Sequence, residues 1–224
     1  MKPAFFLPAL GLTLVLSGCL NLGEKSNTPM VYYVLNDAAL KDADPPGAKI
    51  PQGGTESSAP AATAPDQPGA KTRAPTLLVL DTTTGSFYDT EQLVFSRSAG
   101  TRSQYQFARW TERPGKRFAD LMRIRLDRQD SWNVSAAGGY VRGDLMLDTE
   151  LVEFYHDAAS EPGQMRLVLR AELVDLKQRA LLGRRVFEQR VPLTTYDAAA
   201  AAQAANLAVS RALDDLTGWL ATFQ

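Results

Sequence analysis

Residues 165–173 read MRLVLRAEL: Met165, Leu167, Leu169, Ala171 and Leu173 alternate with Arg166, Val168, Arg170 and Glu172. Side chains of an extended chain point to opposite faces in turn, so this period of two describes a strand with one apolar face. Leu181 to Val191 follows after a turn near Lys177-Gln178 and supplies a pairing partner. Upstream, Leu145 to Phe154 reads as a third strand. Gln92 to Arg97 (QLVFSR) and Gln104 to Ala108 (QYQFA) are shorter candidates, with Ser98-Ala99-Gly100 turning between them.

Two helices complete the pattern. Pro114 opens the first, which runs to about Arg128; a proline in the first turn sacrifices no intrahelical hydrogen bond. Phe118, Leu121, Met122 and Arg125 share one side, with Leu126 adjoining. The second helix runs from about Asp197 to Leu220. Ala198, Ala202, Ala205, Val209, Leu213, Leu216 and Leu220 step along it by three and four residues, and its alanine-rich first half permits close approach to a sheet. The expectation is a single α+β domain, a mostly antiparallel sheet covered by two helices, spanning residues 31–224.

One segment interrupts it. Between Ala38 and Thr76 lie seven of the thirteen prolines, with Gly, Ser and Ala, no aromatic residue and only two large aliphatics, Leu40 and Ile50. Such a composition buries too little surface to offset the entropy of ordering. It is flanked by strand-forming runs, Val31-Tyr32-Tyr33-Val34-Leu35 and Thr76-Leu77-Leu78-Val79-Leu80. The reading is a hairpin-like strand pair with a disordered Pro/Ala/Gly-rich insertion at about 38–76, serving as a spacer.

The N-terminus reads as an export signal. Lys2 supplies positive charge, and Ala4 to Leu16 is an uncharged apolar run of about 13 residues, short for spanning a bilayer. Leu16-Ser17-Gly18-Cys19 follows, with the chain's single cysteine. The pattern resembles the bacterial lipobox, which implies a signal peptide at 1–18 and diacylglycerol plus an N-acyl lipid on Cys19. Leu20, where aspartate would signal inner-membrane retention, points to the periplasmic face of the outer membrane. Residues 19–30 form a polar tether; about ten residues reach ~35 Å at full extension and ~18 Å as a coil.

The remaining chemistry is sparse. Net charge is −1, which gives no footprint for nucleic acid, and one cysteine builds neither a disulfide framework nor a zinc site. The sole histidine, His156, reads as a surface or turn residue. Asp214-Asp215 reads as solvated surface and Gly138-Gly139 as a turn. There is no Gly-x-Ser-x-Gly, Walker or GxGxxG motif. No enzyme and no cofactor or metal are expected. A basic cluster, Arg102, Arg109, Arg113, Lys116, Arg117, Arg123, Arg125 and Arg128, reads first as a solvated face; an anionic lipid surface or an acidic partner is the alternative.

Taken in order, the lipobox, Tyr32-Tyr33-Val34-Leu35, Phe87 to Phe95 (FYDTEQLVF) with Arg97 after it, Ala108-Arg109-Trp110 and Pro114 resemble the auxiliary lipoproteins of ABC-type transporters, the PqiC-like family. The resemblance runs from about residue 30 to 220. It implies partnership with an MCE-domain protein in moving phospholipid between two membranes. An assembly lipoprotein for lipopolysaccharide or protein insertion is the alternative, and an envelope hydrolase a more remote one; a homo-oligomer is left open. Tyr88, Arg109 and Trp110 are candidate partner-binding residues, since aromatic and arginine side chains dominate desolvated interfaces. Trp110 reads equally well as core.

Overall fold

The computed structural model describes residues 28–40, 74–138 and 141–223. The signal-peptide and lipobox readings, including Cys19, and nearly all of the 38–76 insertion lie outside the described residues.

The elements in chain order are β1 (Val31–Tyr33), β2 (Thr76–Val79), β3 (Thr83–Thr84), β4 (Gln92–Ser96), β5 (Ser103–Trp110), α1 (Pro114–Asp127), β6 (Asn133–Ala136), β7 (Leu145–Asp157), β8 (Gln164–Asp175), β9 (Ala180–Pro192) and α2 (Ala198–Leu220), with short 3-10 turns at Ala38–Leu40 and Ala221–Phe223. The nine strands form one mixed sheet. Its long ladders, β7–β8 and β8–β9, are antiparallel, as the alternation in 165–173 predicts. The turn after β8 is held by Asp175, whose Oδ1 accepts from the N–H groups of Lys177 and Gln178 at 2.7 and 2.8 Å.

The other edge of β7 is shared in succession. Leu145 to Leu147 pair with β2, Glu150-Leu151 with β3, and His156-Asp157 with β4, all parallel. The expected hairpin of the 31–35 and 76–80 runs is not formed. β1 instead lies parallel to β5 at the sheet's edge, Val31 facing Ala108 and Tyr33 facing Trp110, while β2 sits between β6 and β7. Both runs needed a partner, but their shared strand propensity carries no information on which.

One buried cluster joins Leu77, Val79, Leu147, Leu151, Leu167, Leu169 and Leu173 of the sheet to Phe118, Leu121, Met122 and Leu126 of α1 and to Ala205, Val209, Leu213 and Leu216 of α2. The helices therefore cover one face. The opposite face of β7–β9 carries ion pairs: Arg166 with Glu153 and Glu188, Arg170 with Glu150, Arg184 with Glu172. Asp197 caps α2, its Oδ1 accepting from the Ala200 N–H at 2.8 Å. Gly115, in the first turn of α1, passes so near β3 that an added Cβ would lie 2.8 Å from the Thr82 carbonyl oxygen.

The segment after β1 is fixed by buried polar contacts. The Asp37 carboxylate, fully buried, accepts from Arg125 at 2.7 and 2.8 Å, from the Ser210 hydroxyl at 2.7 Å and from the Ala39 N–H at 3.1 Å. Arg117 donates to the Leu35 carbonyl at 2.9 Å, and the Asn206 side chain accepts from the Asn36 N–H at 2.9 Å. Residues 35–39 are thus clamped between α1 and α2.

Candidate functional site

The basic cluster is mostly consumed by the fold. Arg113 pairs with Asp89, Arg123 with Asp81 and Asp120, Arg125 with Asp37 and Asp214, and Arg117 holds the 35–36 backbone and side chain. Burial pulls the Arg125 guanidinium down, but hydrogen bonds to Asp37 and Asp214 outweigh it and hold it above its ordinary value. These arginines act as clamps between elements, so the cluster is neither a plain solvated face nor a free cationic patch. Asp214 correspondingly belongs to an inter-helix pair rather than to bare surface.

Three of the sequence-predicted site residues fall into different environments. Tyr88 is half-buried; its ring stacks on Tyr155 with centroids 6.5 Å apart, and its hydroxyl accepts from Arg102 Nε at 2.8 Å. The Arg102 guanidinium lies 3.8 Å from the Tyr155 ring centre and 3.6 Å from Glu153. Burial raises the Tyr155 phenol above its ordinary value despite Arg102. Arg109 is half-buried beside Tyr32, its partner across β1–β5, and makes no ion pair among the described residues. Trp110 is only 3% exposed and packs against Phe154 at 5.8 Å. Alternation on β5 turns its indole to the helix-covered side, away from Arg109, so Trp110 is a core residue and offers no surface to a partner. No hydrogen bond, ion pair or ring contact links Tyr88 with Arg109 among the described residues.

β1 presents an exposed apolar stretch. Met30, Val31, Tyr32 and Val34 are 37%, 42%, 59% and 48% exposed, on a sheet edge with no strand beyond it among the described residues. Such an edge is available for pairing with another chain. Alternation places Val31 and Tyr33 on one face and Tyr32, with Arg109, on the other.

Beside β1 lies a groove of about 720 Å³, lined chiefly by Val31, Tyr33, Phe95, Tyr105, Phe107 and Tyr196, with Arg97 at its rim. It exists because β4 and β5 lose register: Gln92 faces Arg109 while Val94 faces Gln104, and β1 pairs only from Ala108 onward. Tyr105, Gln106 and Phe107 therefore have no ladder partner in either neighbouring strand. The sequence reading did not find this groove, because a register break leaves no mark in hydrophobic alternation.

His156 forms the groove's support. It is 1% exposed, which corrects its reading as a surface or turn residue. β7 continues past Phe154 to Asp157, so His156 shares the inward face with Phe154. Its Nδ1 meets the Tyr105 hydroxyl at 2.8 Å and its Nε2 the Pro162 carbonyl at 3.2 Å. The carbonyl can only accept, so Nε2 carries the proton and Nδ1 accepts from Tyr105. Burial depresses the imidazole below its ordinary value, opposed by the Pro162 contact, and pushes the Tyr105 phenol up to about 12. Both polar atoms of the ring are thus satisfied within the fold, which is the arrangement of a structural histidine.

The fold resembles that of a Xanthomonas campestris protein of the DUF330 family, at 21% identity and a TM-score of 0.60, over 65% of this chain and 82% of that one. A crystal structure of an uncharacterized protein aligns over 66% of this chain and 92% of that one, at 11% identity and a TM-score of 0.56. No curated protein sequence matches the chain. The family model described as the ABC-type transport auxiliary lipoprotein component matches residues 58–216, most of the folded domain. By that match, the chain belongs to the auxiliary lipoprotein components of ABC-type transporters.

Proposed function

We propose that the protein is a non-catalytic accessory of an MCE-type intermembrane phospholipid transport system, anchored through Cys19 to the periplasmic face of the outer membrane and docking a transporter component there. Family membership supports the transport role, and Leu16-Ser17-Gly18-Cys19 supports the anchor. No helix among the described residues is long and apolar enough to cross a membrane. The observation that carries the docking reading is the exposed edge Met30 to Val34 with Arg109, which has no ion pair among the described residues, beside it. A surface of that kind combines an open backbone edge with an aromatic and a cation, which suits recognition of an extended segment of a partner.

The anchor is tested by Cys19→Ser. The variant is expected to lose metabolic acyl labelling and to persist as a precursor retaining residues 1–18. Normal processing and membrane retention would remove the anchor from the reading.

A further inference from the structure

We propose that the groove beside β1 binds a single acyl chain bearing an anionic head, drawn from the bilayer, with Arg97 as the head-group contact. The inference goes beyond partner docking, and takes from it only the attachment to a membrane.

Four observations carry it. The groove's volume, about 720 Å³, lies within the ~300–1,000 Å³ typical of small-molecule sites, and its lining is dominated by apolar and aromatic side chains. Val31, Phe107 and Tyr196 remain 42%, 39% and 38% exposed, so an apolar occupant would remove hydrocarbon from water along its length.

The groove is preformed, and three of its polar side chains are already engaged. Tyr105 is held by His156, Tyr196 donates to the Ala158 carbonyl at 3.1 Å, and Asp197 is committed to the α2 backbone. Arg97 alone is left with a formal charge to satisfy: it makes no ion pair among the described residues and lies 5.2 Å from the Phe95 ring centre. An apolar slot with one free guanidinium selects an amphiphile with one anionic end.

Supply follows from chain length. Thr28 lines the groove and is nine chain steps beyond Cys19. That is at most about 32 Å of extended chain, so a lipidated Cys19 would hold the groove within reach of bilayer amphiphiles.

The test uses the mature lipoprotein in vesicles of phosphatidylethanolamine and phosphatidylglycerol, with a diazirine-bearing palmitate as probe and mass spectrometry to map the label. Labelling should concentrate at Phe95, Tyr105 to Phe107 and Tyr196. Phe107→Glu should lower it about tenfold, because a buried carboxylate opposes both chain and head. Tyr196→Glu, at a residue that lines the groove but lies outside the Met30 to Val34 edge, is the second variant should the first fail to fold. Arg97→Gln should lower palmitate labelling about tenfold, the loss of one charge-assisted contact, and leave a diazirine-bearing hexadecanol unaffected. A lysophosphatidylglycerol probe compared with palmitate reports whether phosphate or carboxylate is the preferred head.

Label scattered over the surface, labelling indifferent to both groove variants, or protection of the groove by a partner polypeptide instead would overturn the proposal. Equal loss of palmitate and hexadecanol labelling in Arg97→Gln would overturn the head-group assignment. Partner recovery measured on the same variants separates this inference from the docking reading: loss of label with partner retained, or the reverse, assigns each failure to its own claim.

Discussion

Replacing Asp37 by Ala should destabilise the domain severely, although Asp37 lies outside the hydrophobic core and at the end of a short edge segment. Its carboxylate is fully buried and receives two hydrogen bonds from Arg125, one from Ser210 and one from the Ala39 N–H. Breaking a buried pair by removing one partner typically costs about 3–5 kcal/mol, because the other charge is left uncompensated. Arg125 keeps Asp214 and is 14% exposed, and Ser210 can still donate to the Asn206 carbonyl, so the lower end, about 3 kcal/mol, applies here. With a urea slope of roughly 2 kcal/mol per molar, the midpoint should fall by about 1.5 M at unchanged slope. Thermal unfolding should shift down by about 6–12 °C.

The double variant Asp37→Leu with Arg125→Met should recover much of the loss, since an apolar pair of similar volume is often neutral at a buried ion-pair site. A midpoint shift below about 0.3 M for Asp37→Ala would refute the reasoning. So would a double variant whose loss equals the sum of Asp37→Leu and Arg125→Met measured singly, since that additivity would show that the two side chains do not act as a pair.

Gly115→Ala tests the close approach of α1 to β3. Helix propensity alone would favour alanine by about 1 kcal/mol, but the new Cβ would meet the Thr82 carbonyl oxygen at 2.8 Å and Thr84 Cγ2 at 2.7 Å. A net loss of about 1–2 kcal/mol in urea unfolding is expected, and a gain would show that the helix can shift. His156 predicts a pH dependence. Its folded-state pKa is depressed, so its contribution is fully present above the unfolded value of about 6.5 and is lost as pH falls through the folded value. Stability should therefore decline below about pH 6.5, by up to ~1.4 kcal/mol per pH unit. The chain has one histidine, so His156→Gln should flatten that limb between about pH 5 and 6.5; an unchanged slope would assign it elsewhere.

What the sequence revealed of the fold follows from how locally each feature is encoded. The β8 alternation, the α1 apolar face after Pro114 and the α2 stripe are each written within a dozen or so residues, and all three appear with bounds close to those expected. β3 and β6 are only two and four residues long, too short for a period to show. The partner of β1 was not legible. The segment that follows β1 is anchored through Arg117, Arg125, Asn206 and Ser210, which lie 82 to 173 residues away along the chain, and no local pattern in Val31 to Leu35 reports them.

The candidate site was legible in part. Arg109 lies beside the exposed Tyr32 and makes no ion pair among the described residues, so its side chain is not consumed by the fold as most of the cluster is. Tyr88 is tied into a ring and guanidinium stack, and Trp110 turns inward because alternation gives adjacent residues on β5 opposite faces. His156 could have been placed by carrying that argument one step further along β7, since Phe154 is apolar and His156 is two residues on. The groove could not, because its cause is a loss of register between β4 and β5 that only the pairing reveals.

The most direct test of the docking reading is recovery of an MCE-domain partner with the mature lipoprotein from native membranes, wild type against Arg109→Glu. Arg109 has no ion pair to lose among the described residues, so the reversal should change stability by no more than about 1 kcal/mol. The account predicts that the wild type retains the partner and that Arg109→Glu recovers several-fold less at unchanged thermal stability. Failure of the wild type to retain any MCE-domain protein would contradict it.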